Sequence, residues 1–529
     1  MAKILVSDKL SEAGLKILKS APGLEIDTKS GLKPDELKQI IGEYDGLIIR
    51  SGTKVTADLL SAAKKLKIVG RAGIGVDNVD TVAASKLGVI VENTPGGNVV
   101  TTAEHAIAMM FAAARKIPQA TGSMKEGKWE KTKFVGSEIY NKTLGIIGVG
   151  NIGKIVADRA IGLKMKVIAY DPFLSSESAA KMGVELVDLE TLFAKADFIS
   201  IHTPLNDKTR NLVNKAAFAK MKKGVHLINC ARGGIVNEDD LVAAIQEGIV
   251  AGAAFDVFVE EPIKPDHALL KLDQVVCTPH LGASTDEAQE NVSVEVAEQM
   301  VDYFVNGVVR NAVNFPSISG ELVGVLQPYI HLAEKLGKLQ GQLATSSPSE
   351  IAIEYSGEIA QYPVASLTVS VLKGVLEPML EDVSVNYVNA PFIAKERGIK
   401  VVESKVSETK DFKSLIQVTV KSAKETRIVS GTTFGAKHPR IVRIDDFFLE
   451  ALPEGSILVI HNQDRPGVVG SVGTLLGKNS INISRMQLGE LKDKQEAIAL
   501  YNVSPQVPAD LLAELAKLPH VVSVKQVNL

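Results

Sequence analysis

Leu144-Gly145-Ile146-Ile147-Gly148-Val149-Gly150-Asn151-Ile152-Gly153 is the stretch that decides the fold. A short apolar run breaks at Gly148, passes through Gly150 and Gly153, and enters a helical pattern from about Ile152 to Gly162. A strand, a glycine turn and a helix in that order read as a dinucleotide-binding turn. Gly148 permits the tight turn, Gly150 lets backbone approach a pyrophosphate, and Gly153 lets the helix pack on the strand. The free N–H groups and dipole at the helix start favour the negative charge. Lys166 to Tyr170 reads as the next strand and ends at Asp171, about 20 residues on, where a carboxylate can accept both ribose hydroxyls.

Working outward, strands recur between helices at Leu144 to Ile147, Val167 to Tyr170, Phe198 to Ile201, His226 to Asn229, Ala251 to Asp256 and Val275 to Thr278. That is a complete doubly wound α/β sheet. Before it, Lys3 to about Thr94 alternates helical stretches with strands at Ile4 to Val6, Leu47 to Ile49, Ile68 to Gly70 and Val89 to Glu92, a small α/β domain. Asn98 to Lys116 reads as a long helix with Thr101 or Thr102 near its start and Pro118 just past its end. Asp286 to Asn306 is a helix whose apolar residues Val292, Val296, Met300 and Phe304 return the chain to the first domain. The expected organisation is a Rossmann domain (98–284) inserted into a flavodoxin-like domain (1–97 and 285–315). A linker at Pro316 to Gly320 leads to an α+β segment (318–450). The last unit (455–529) runs strand, helix, strand, strand, helix, strand, the ferredoxin-like order.

At 529 residues the chain needs several domains. A net charge of −3 argues against a nucleic-acid surface. Two cysteines, Cys230 and Cys277, supply no disulfide framework and lack metal-site spacing, so no metal is expected and a reducing cytoplasm is the simplest setting. The charged N-terminus is unlike a signal peptide, and no uncharged run approaches the roughly 18 residues of a membrane span.

Active groups on an open α/β sheet belong beyond the carboxyl ends of its strands. There the sequence offers Arg232 in Asn229-Cys230-Ala231-Arg232-Gly233-Gly234, Glu261 in Glu260-Glu261-Pro262, and His280 in Thr278-Pro279-His280-Leu281-Gly282-Ala283. These suffice to oxidise a 2-hydroxy acid. Arg232 clamps the carboxylate or C2 oxygen with its planar donors. His280 removes the hydroxyl proton as hydride leaves, and Glu261 fixes its tautomer and raises its pKa. Singly, each has a bland reading: a turn cap, a surface carboxylate, a solvated histidine. Three at successive strand ends beside a dinucleotide turn favour chemistry.

Together with Arg71-Ala72-Gly73-Ile74-Gly75-Val76-Asp77-Asn78 and Asn93-Thr94-Pro95-Gly96-Gly97-Asn98, these motifs resemble the D-isomer-specific 2-hydroxyacid dehydrogenase family over essentially the whole chain. Within it they are similar to the long branch that oxidises 3-phosphoglycerate for serine synthesis. The resemblance implies catalytic roles for Arg232, Glu261 and His280, with Glu261 chosen over Glu260 because it directly precedes the proline. It implies that Gly148, Gly150, Asn151, Ile152 and Gly153 hold the pyrophosphate and Asp171 the adenosine ribose. Thr203, Cys230, Ala231 and Arg232 line the cofactor cleft, Asp256 meets the nicotinamide carboxamide, and His280, Leu281, Gly282 and Ala283 complete the wall. Ile74 stands where the family often has a small or polar residue, leaving a backbone contact. A carboxylate at Asp171 repels a 2′-phosphate and no arginine follows closely, so the cofactor expected is NAD rather than NADP. For the substrate, Ser51 and the backbone N–H groups from Gly73 to Gly75 form an anion cradle. Arg50 faces the phosphate, with a plain surface arginine as the alternative.

Asn462-Gln463-Asp464-Arg465-Pro466-Gly467-Val468-Val469-Gly470 resembles the amino-acid-binding loop of ACT domains. Asp464 pairs with an ammonium group, and Asn482 contributes from an adjoining chain. The resemblance implies L-serine as effector; a ligand-free subunit joint is the competing reading. Lys437, His438, Arg440 and Arg443, and the run Lys125, Lys128, Lys131 and Lys133 around Trp129, read as solvated basic faces, or else as an anion site and a contribution to a neighbour's site. Paired dinucleotide domains favour a homodimer or homotetramer. Two alternatives stay open: action on an unphosphorylated acid, and a non-catalytic NAD-sensing corepressor-like protein.

Overall fold

The computed structural model describes residues 1–316, 320–380, 384–409, 411–435 and 437–529. Its first sheet joins β1 (Ala2–Val6), β2 (Leu24–Thr28), β3 (Gly46–Ile49), β4 (Ile68–Arg71) and β5 (Ile90–Asn93), all parallel, in the order β2-β1-β3-β4-β5. This is the flavodoxin-like order. Edge strand β2 is absent from the strands expected on the sequence: Leu24-Glu25-Ile26-Asp27-Thr28 is only partly buried, so it lacks the apolar run of a central parallel strand.

The second sheet takes β6 (Thr143–Ile147), β7 (Lys166–Tyr170), β8 (Glu185–Leu186), β9 (Phe198–Ile201), β10 (Val225–Asn229), β11 (Val250–Phe255) and β12 (Val275–Cys277) in the order β12-β11-β10-β9-β6-β7-β8. All neighbours are parallel; the strand order reverses between β6 and β9, and the crevice at their carboxyl ends is where such sheets bind ligands. Two-residue β8 has too little sequence to be read as a strand.

Two helices tie these bodies together. The spine helix Val99–Arg115 buries Ala103, Ala106, Met110 and Ala114 against the second sheet's core. Its end is set by Lys116 in a left-handed conformation, after which Ile117–Lys125 forms another helix. Pro118, expected only to follow a helix, therefore opens the next one, where its missing N–H costs nothing. The return helix Asp286–Val301 packs Val292, Val296 and Met300 with Ile4, Val6, Ile48 and Ile68 of the first sheet. It ends earlier than the sequence suggests, in a π turn over Asp302–Asn306 closed by Gly307.

The expected linker at Pro316 to Gly320 lies largely outside the described residues. Beyond it the long helix Gly320–Leu343 covers a third, mixed sheet, β13 (Pro348–Gly357), β14 (Lys400–Val406), β15 (Ser414–Ser422), β16 (Thr426–Phe434), β17 (His438–Ile444) and β18 (Phe447–Ala451), in the order β14-β13-β15-β16-β17-β18. The last unit has β19 (Ser456–Gln463), β20 (Asn482–Leu491), β21 (Glu496–Ser504) and β22 (Val521–Asn528) in the order β20-β21-β19-β22, all antiparallel neighbours. One continuous core runs from Leu326 and Leu336 through Ile353 and Val418 to Ile457 and Leu500, so these two units pack as one body. That body meets the first domain where Asn386 Nδ2 donates to Gly88 O (2.9 Å), beside a cavity of about 770 Å³ edged by Lys64 and Lys65. The cavity lies apart from the groups described next. Among the described residues no helix is long and apolar enough to cross a membrane.

Candidate active site

A cleft of about 490 Å³ opens between the first two sheets, and the loops at their strand ends line it. Gly148 sits at φ +92° and starts the turn helix Asn151–Gly162. A Cβ on Gly153 would lie 2.1 Å from Gly148 O, so helix and strand meet at backbone distance. A Cβ on Gly150 would meet no atom within 4 Å, so packing does not demand glycine there and the space is open to a ligand. Gly153→Ala should lose about 1–3 kcal/mol of stability through overpacking, read by denaturant unfolding. Gly150→Ala should unfold normally yet bind NADH more weakly; unchanged NADH affinity would contradict a pyrophosphate at this turn.

Asp171 stands just beyond β7 and takes Val149 N on Oδ2 (2.8 Å) and Phe173 N on Oδ1 (2.8 Å). It braces the turn, and each oxygen keeps lone-pair capacity for a ribose hydroxyl. Asn151, Ile152, Thr203, Cys230, Ala231, Asp256, Gly282 and Ala283 all line the cleft, as do Ile74 and Gly75 from the first domain. Leu281 donates its N–H to Asp256 Oδ1 (2.7 Å) in the same loop. Cys230 is no nucleophile, because burial and then the charge of Asp256 push its thiol well up. His202 Nδ1, Thr203 Oγ1 and Asn98 Oδ1 are buried atoms without hydrogen-bond partners among the described residues. Their residues all face the cleft, which suits a polar ligand such as a dinucleotide.

Arg232, Glu261 and His280 come from three loops. Asn229 shapes the first, bonding Arg232 O (3.0 Å) through Nδ2 and accepting Ala231 N (3.1 Å) on Oδ1. Arg232 Nε then reaches across the cleft to Asp77 Oδ2 (2.8 Å), and Nη1 bonds Ala231 O (2.7 Å). The other guanidinium N–H groups remain for an anion. Glu261 accepts Phe258 N on Oε1 (3.0 Å) and His280 Nδ1 on Oε2 (2.7 Å). Bonding from Glu261 outweighs burial and holds the His280 imidazole above its ordinary pKa. Burial pushes the Glu261 carboxyl up, but bonds from His280 and Phe258 N hold it below the usual range. With Nδ1 engaged, Nε2 is the nitrogen free to exchange a proton. His280 itself is left-handed, φ +56°, a strained state for a non-glycine residue.

The first domain differs from expectation at three points. Gly73 does not offer its N–H to an anion, because it donates to Thr94 Oγ1 (2.6 Å), so the cradle expected from Gly73 to Gly75 loses that donor. Arg50 and Ser51 lie on the loop after β3, outside the residues lining the cleft; Arg50 N is held by Asp8 Oδ2 (2.6 Å). The arginine that does line the cleft is Arg71, at the end of β4, with its guanidinium folded over Gly73. Its Nε is buried without a partner among the described residues, and Nη1 reaches only Ala72 O at 3.5 Å. Burial, then repulsion from Arg232, brings it down to about 10. Sequence reasoning quoted Arg71 without giving it a role. Its signal was position, an arginine at a strand's carboxyl end, as with Arg232. Asp77, Asn98 and Thr102 were missed too.

In the last unit Gly467, φ +95°, caps the helix Val468–Lys478, while Asp464 and Asn482 are exposed. Arg440 pairs with Glu450 (3.3 Å) and Arg443 bonds Asp445 O (2.5 Å), so both have local partners.

Three family models match this chain: "D-isomer specific 2-hydroxyacid dehydrogenase, NAD binding domain" over residues 107–282, "D-3-phosphoglycerate dehydrogenase intervening domain" over 325–445, and "ACT domain" over 456–520. A D-3-phosphoglycerate dehydrogenase of Archaeoglobus fulgidus is 45% identical, and one of Bacillus subtilis 43%, each over 100% of both chains. Among solved structures, a Thermus thermophilus protein (32% identity, TM-score 0.54) covers 59% of this chain and 99% of its own. The D-lactate dehydrogenase of Aquifex aeolicus, complexed with NAD and lactic acid (28% identity, TM-score 0.53), covers 59% of this chain and 100% of its own.

Proposed function

Because the chain belongs to the D-3-phosphoglycerate dehydrogenase branch of the D-isomer-specific 2-hydroxyacid dehydrogenase family, we propose that the cleft oxidises 3-phospho-D-glycerate through Arg232, Glu261 and His280. The protein is an NAD-dependent oxidoreductase that converts 3-phospho-D-glycerate to 3-phosphohydroxypyruvate, the entry step of phosphorylated serine synthesis. The observation that carries the residue assignment is the 2.7 Å bond between Glu261 and His280, which lines the cleft together with Arg232.

Arg232 binds the substrate carboxylate with the guanidinium edge that Asp77 leaves free. His280 Nε2 takes the C2 hydroxyl proton as the C2–O bond becomes a carbonyl, and returns it in the reverse reaction. Glu261 holds the imidazole in the right tautomer and stabilises the imidazolium that forms. When bound, NAD accepts the hydride that leaves C2. Arg71, with Arg50 nearby, supplies positive charge for the phosphate. Asp171 braces the turn and discriminates against a 2′-phosphate.

We assign L-serine to the loop Asn462 to Gly470, with Asp464 receiving the ammonium group and Asn482 of an adjoining chain closing the site. Trp129, 81% exposed, Val135 and Tyr140 present apolar surface beyond the spine helix, which supports a homodimer or homotetramer. The two free cysteines fit a reducing cytoplasm.

A substrate and cofactor panel tests the reading. Purified protein should reduce NAD with 3-phosphoglycerate, poorly with lactate-like acids, and far better with NAD than NADP. Turnover only with unphosphorylated acids would overturn the phosphate assignment. No turnover with any acid would favour the NAD-sensing alternative.

A further inference from the structure

The loop that carries His280 is held from behind by the spine helix. Thr102 and His105 are three positions apart on that helix, so they share a face. Thr102 Oγ1 donates to Gly282 O (2.7 Å), while His105 Nε2 lies 3.2 Å from both Asp256 Oδ1 and Thr278 Oγ1. Between them Asp256, wholly buried, organises the loop. Its Oδ1 takes Thr278 Oγ1 (2.6 Å) and Leu281 N (2.7 Å), its Oδ2 takes Gly282 N (2.8 Å), and its backbone O takes His280 N (2.9 Å).

The donor count on the two oxygens is uneven. Oδ1 receives two donors, Thr278 Oγ1–H and Leu281 N–H, while Oδ2 receives one. A carboxylate has about four lone-pair sites, two to each oxygen. Oδ1 is therefore saturated, and Oδ2 keeps acceptor capacity. Thr278 gives its only proton to Asp256, so its oxygen can accept; the arrangement selects the His105 tautomer with hydrogen on Nε2. Loss of that donor would free the Thr278 hydroxyl to turn away from Asp256 and relax the loop on which the left-handed backbone of His280 depends.

We propose that His105 is a positioning residue for the dehydrogenation: its Nε2–H donates to Thr278 Oγ1, which aims the Thr278 hydroxyl proton at Asp256 Oδ1, fixing the 278–282 loop and leaving Oδ2 as the acceptor for the cofactor side of the cleft. This rests on the assignment of His280 and Asp256 given above. It also makes the spine helix, which connects the first domain to the second, a direct mechanical support of the proton-transfer residue. His105 touches neither reacting atom, so its effect falls on the rate of the aligned complex rather than on substrate capture.

The test compares His105→Leu, which removes the donor, with His105→Gln, whose side-chain amide can replace it. The Leu variant should lose roughly 10- to 100-fold in kcat, the scale of a misplacement near 1 Å, with KM for 3-phosphoglycerate nearly unchanged. NADH affinity, read by nicotinamide fluorescence, should also weaken, and the Gln variant should recover most of both. Should the Leu variant not fold, His105→Asn, polar but too short to reach Thr278, takes its place with the same expectation. Equal impairment of Gln and Leu, an unchanged kcat in Leu, or a rise in KM alone would overturn the proposal. An unmodified protein inactive on 3-phosphoglycerate would instead overturn the cleft assignment, while NADH binding in the two variants would still judge His105.

Discussion

Replacing His280 with asparagine should lower kcat for 3-phosphoglycerate oxidation by roughly 10²- to 10⁴-fold, the usual contribution of a positioned acid–base group. Asparagine fits the same space but cannot take a proton at Nε2. Cofactor binding should remain nearly intact, because the contacts attributed to the dinucleotide lie at the glycine turn, Asp171 and Asp256. Steady-state kinetics and an NADH titration on the same preparation check both halves. Residual activity within tenfold of the unmodified protein would remove His280 from the chemistry, whereas lost NADH binding would show a mainly structural role.

The second large effect is expected at Arg71. Its guanidinium is desolvated, its Nε lacks a partner among the described residues, and Arg232 stands near enough to repel it. A buried charge without a good partner is costly to the free protein and ready to meet an anion. Arg71→Leu should raise KM for 3-phosphoglycerate roughly 10- to 100-fold, the loss of a charged hydrogen bond worth about 1.5–3 kcal/mol, while kcat changes little. The free variant should be no less stable than the unmodified protein in denaturant unfolding, since strain at a functional site is commonly relieved by its removal. An unchanged KM would return the phosphate to Arg50. Marked destabilisation would make Arg71 a structural residue.

What could be read from the sequence follows from which physics is local. The turn at Gly148 to Gly153 imposes backbone geometry within ten residues, and strand ends announce themselves by apolar runs that stop at polar residues. Arg232, Glu261 and His280 could therefore be placed on crevice loops before any fold was known. Asp171 was legible for the same reason. The edge strands Leu24–Thr28 and Glu185–Leu186 were not, because edge strands carry no continuous apolar signal. Pro118 looked like a stop and is a start.

Site details that depend on tertiary partners were the least legible. Nothing local says that Thr94 takes the N–H of Gly73, that Asp77 holds Arg232, or that His105 faces Asp256 rather than solvent. Arg71 and Arg50 look alike as residues at strand ends; only the folded cleft, which Arg71 lines and Arg50 does not, separates them. The same holds at the return helix, where the apolar spacing was plain but its π-helical end at Asp302–Asn306 was not.

In the proposed function Glu261 and His280 act as one proton-accepting couple in the oxidation of 3-phosphoglycerate. Oxidation needs neutral His280, and Glu261 holds its pKa above the ordinary value of about 6.5. Activity should therefore rise with pH through that elevated value, while the reverse reduction, which needs the imidazolium, should fall through it. Glu261→Gln removes the charge that stabilises the imidazolium, so the pKa drops. The decisive measurement is the pH dependence of kcat/KM for NAD reduction by 3-phosphoglycerate in the unmodified protein and in Glu261→Gln. An acidic limb above the ordinary imidazole range should appear and move to lower pH in the variant; a limb that stays where it was would rule the couple out.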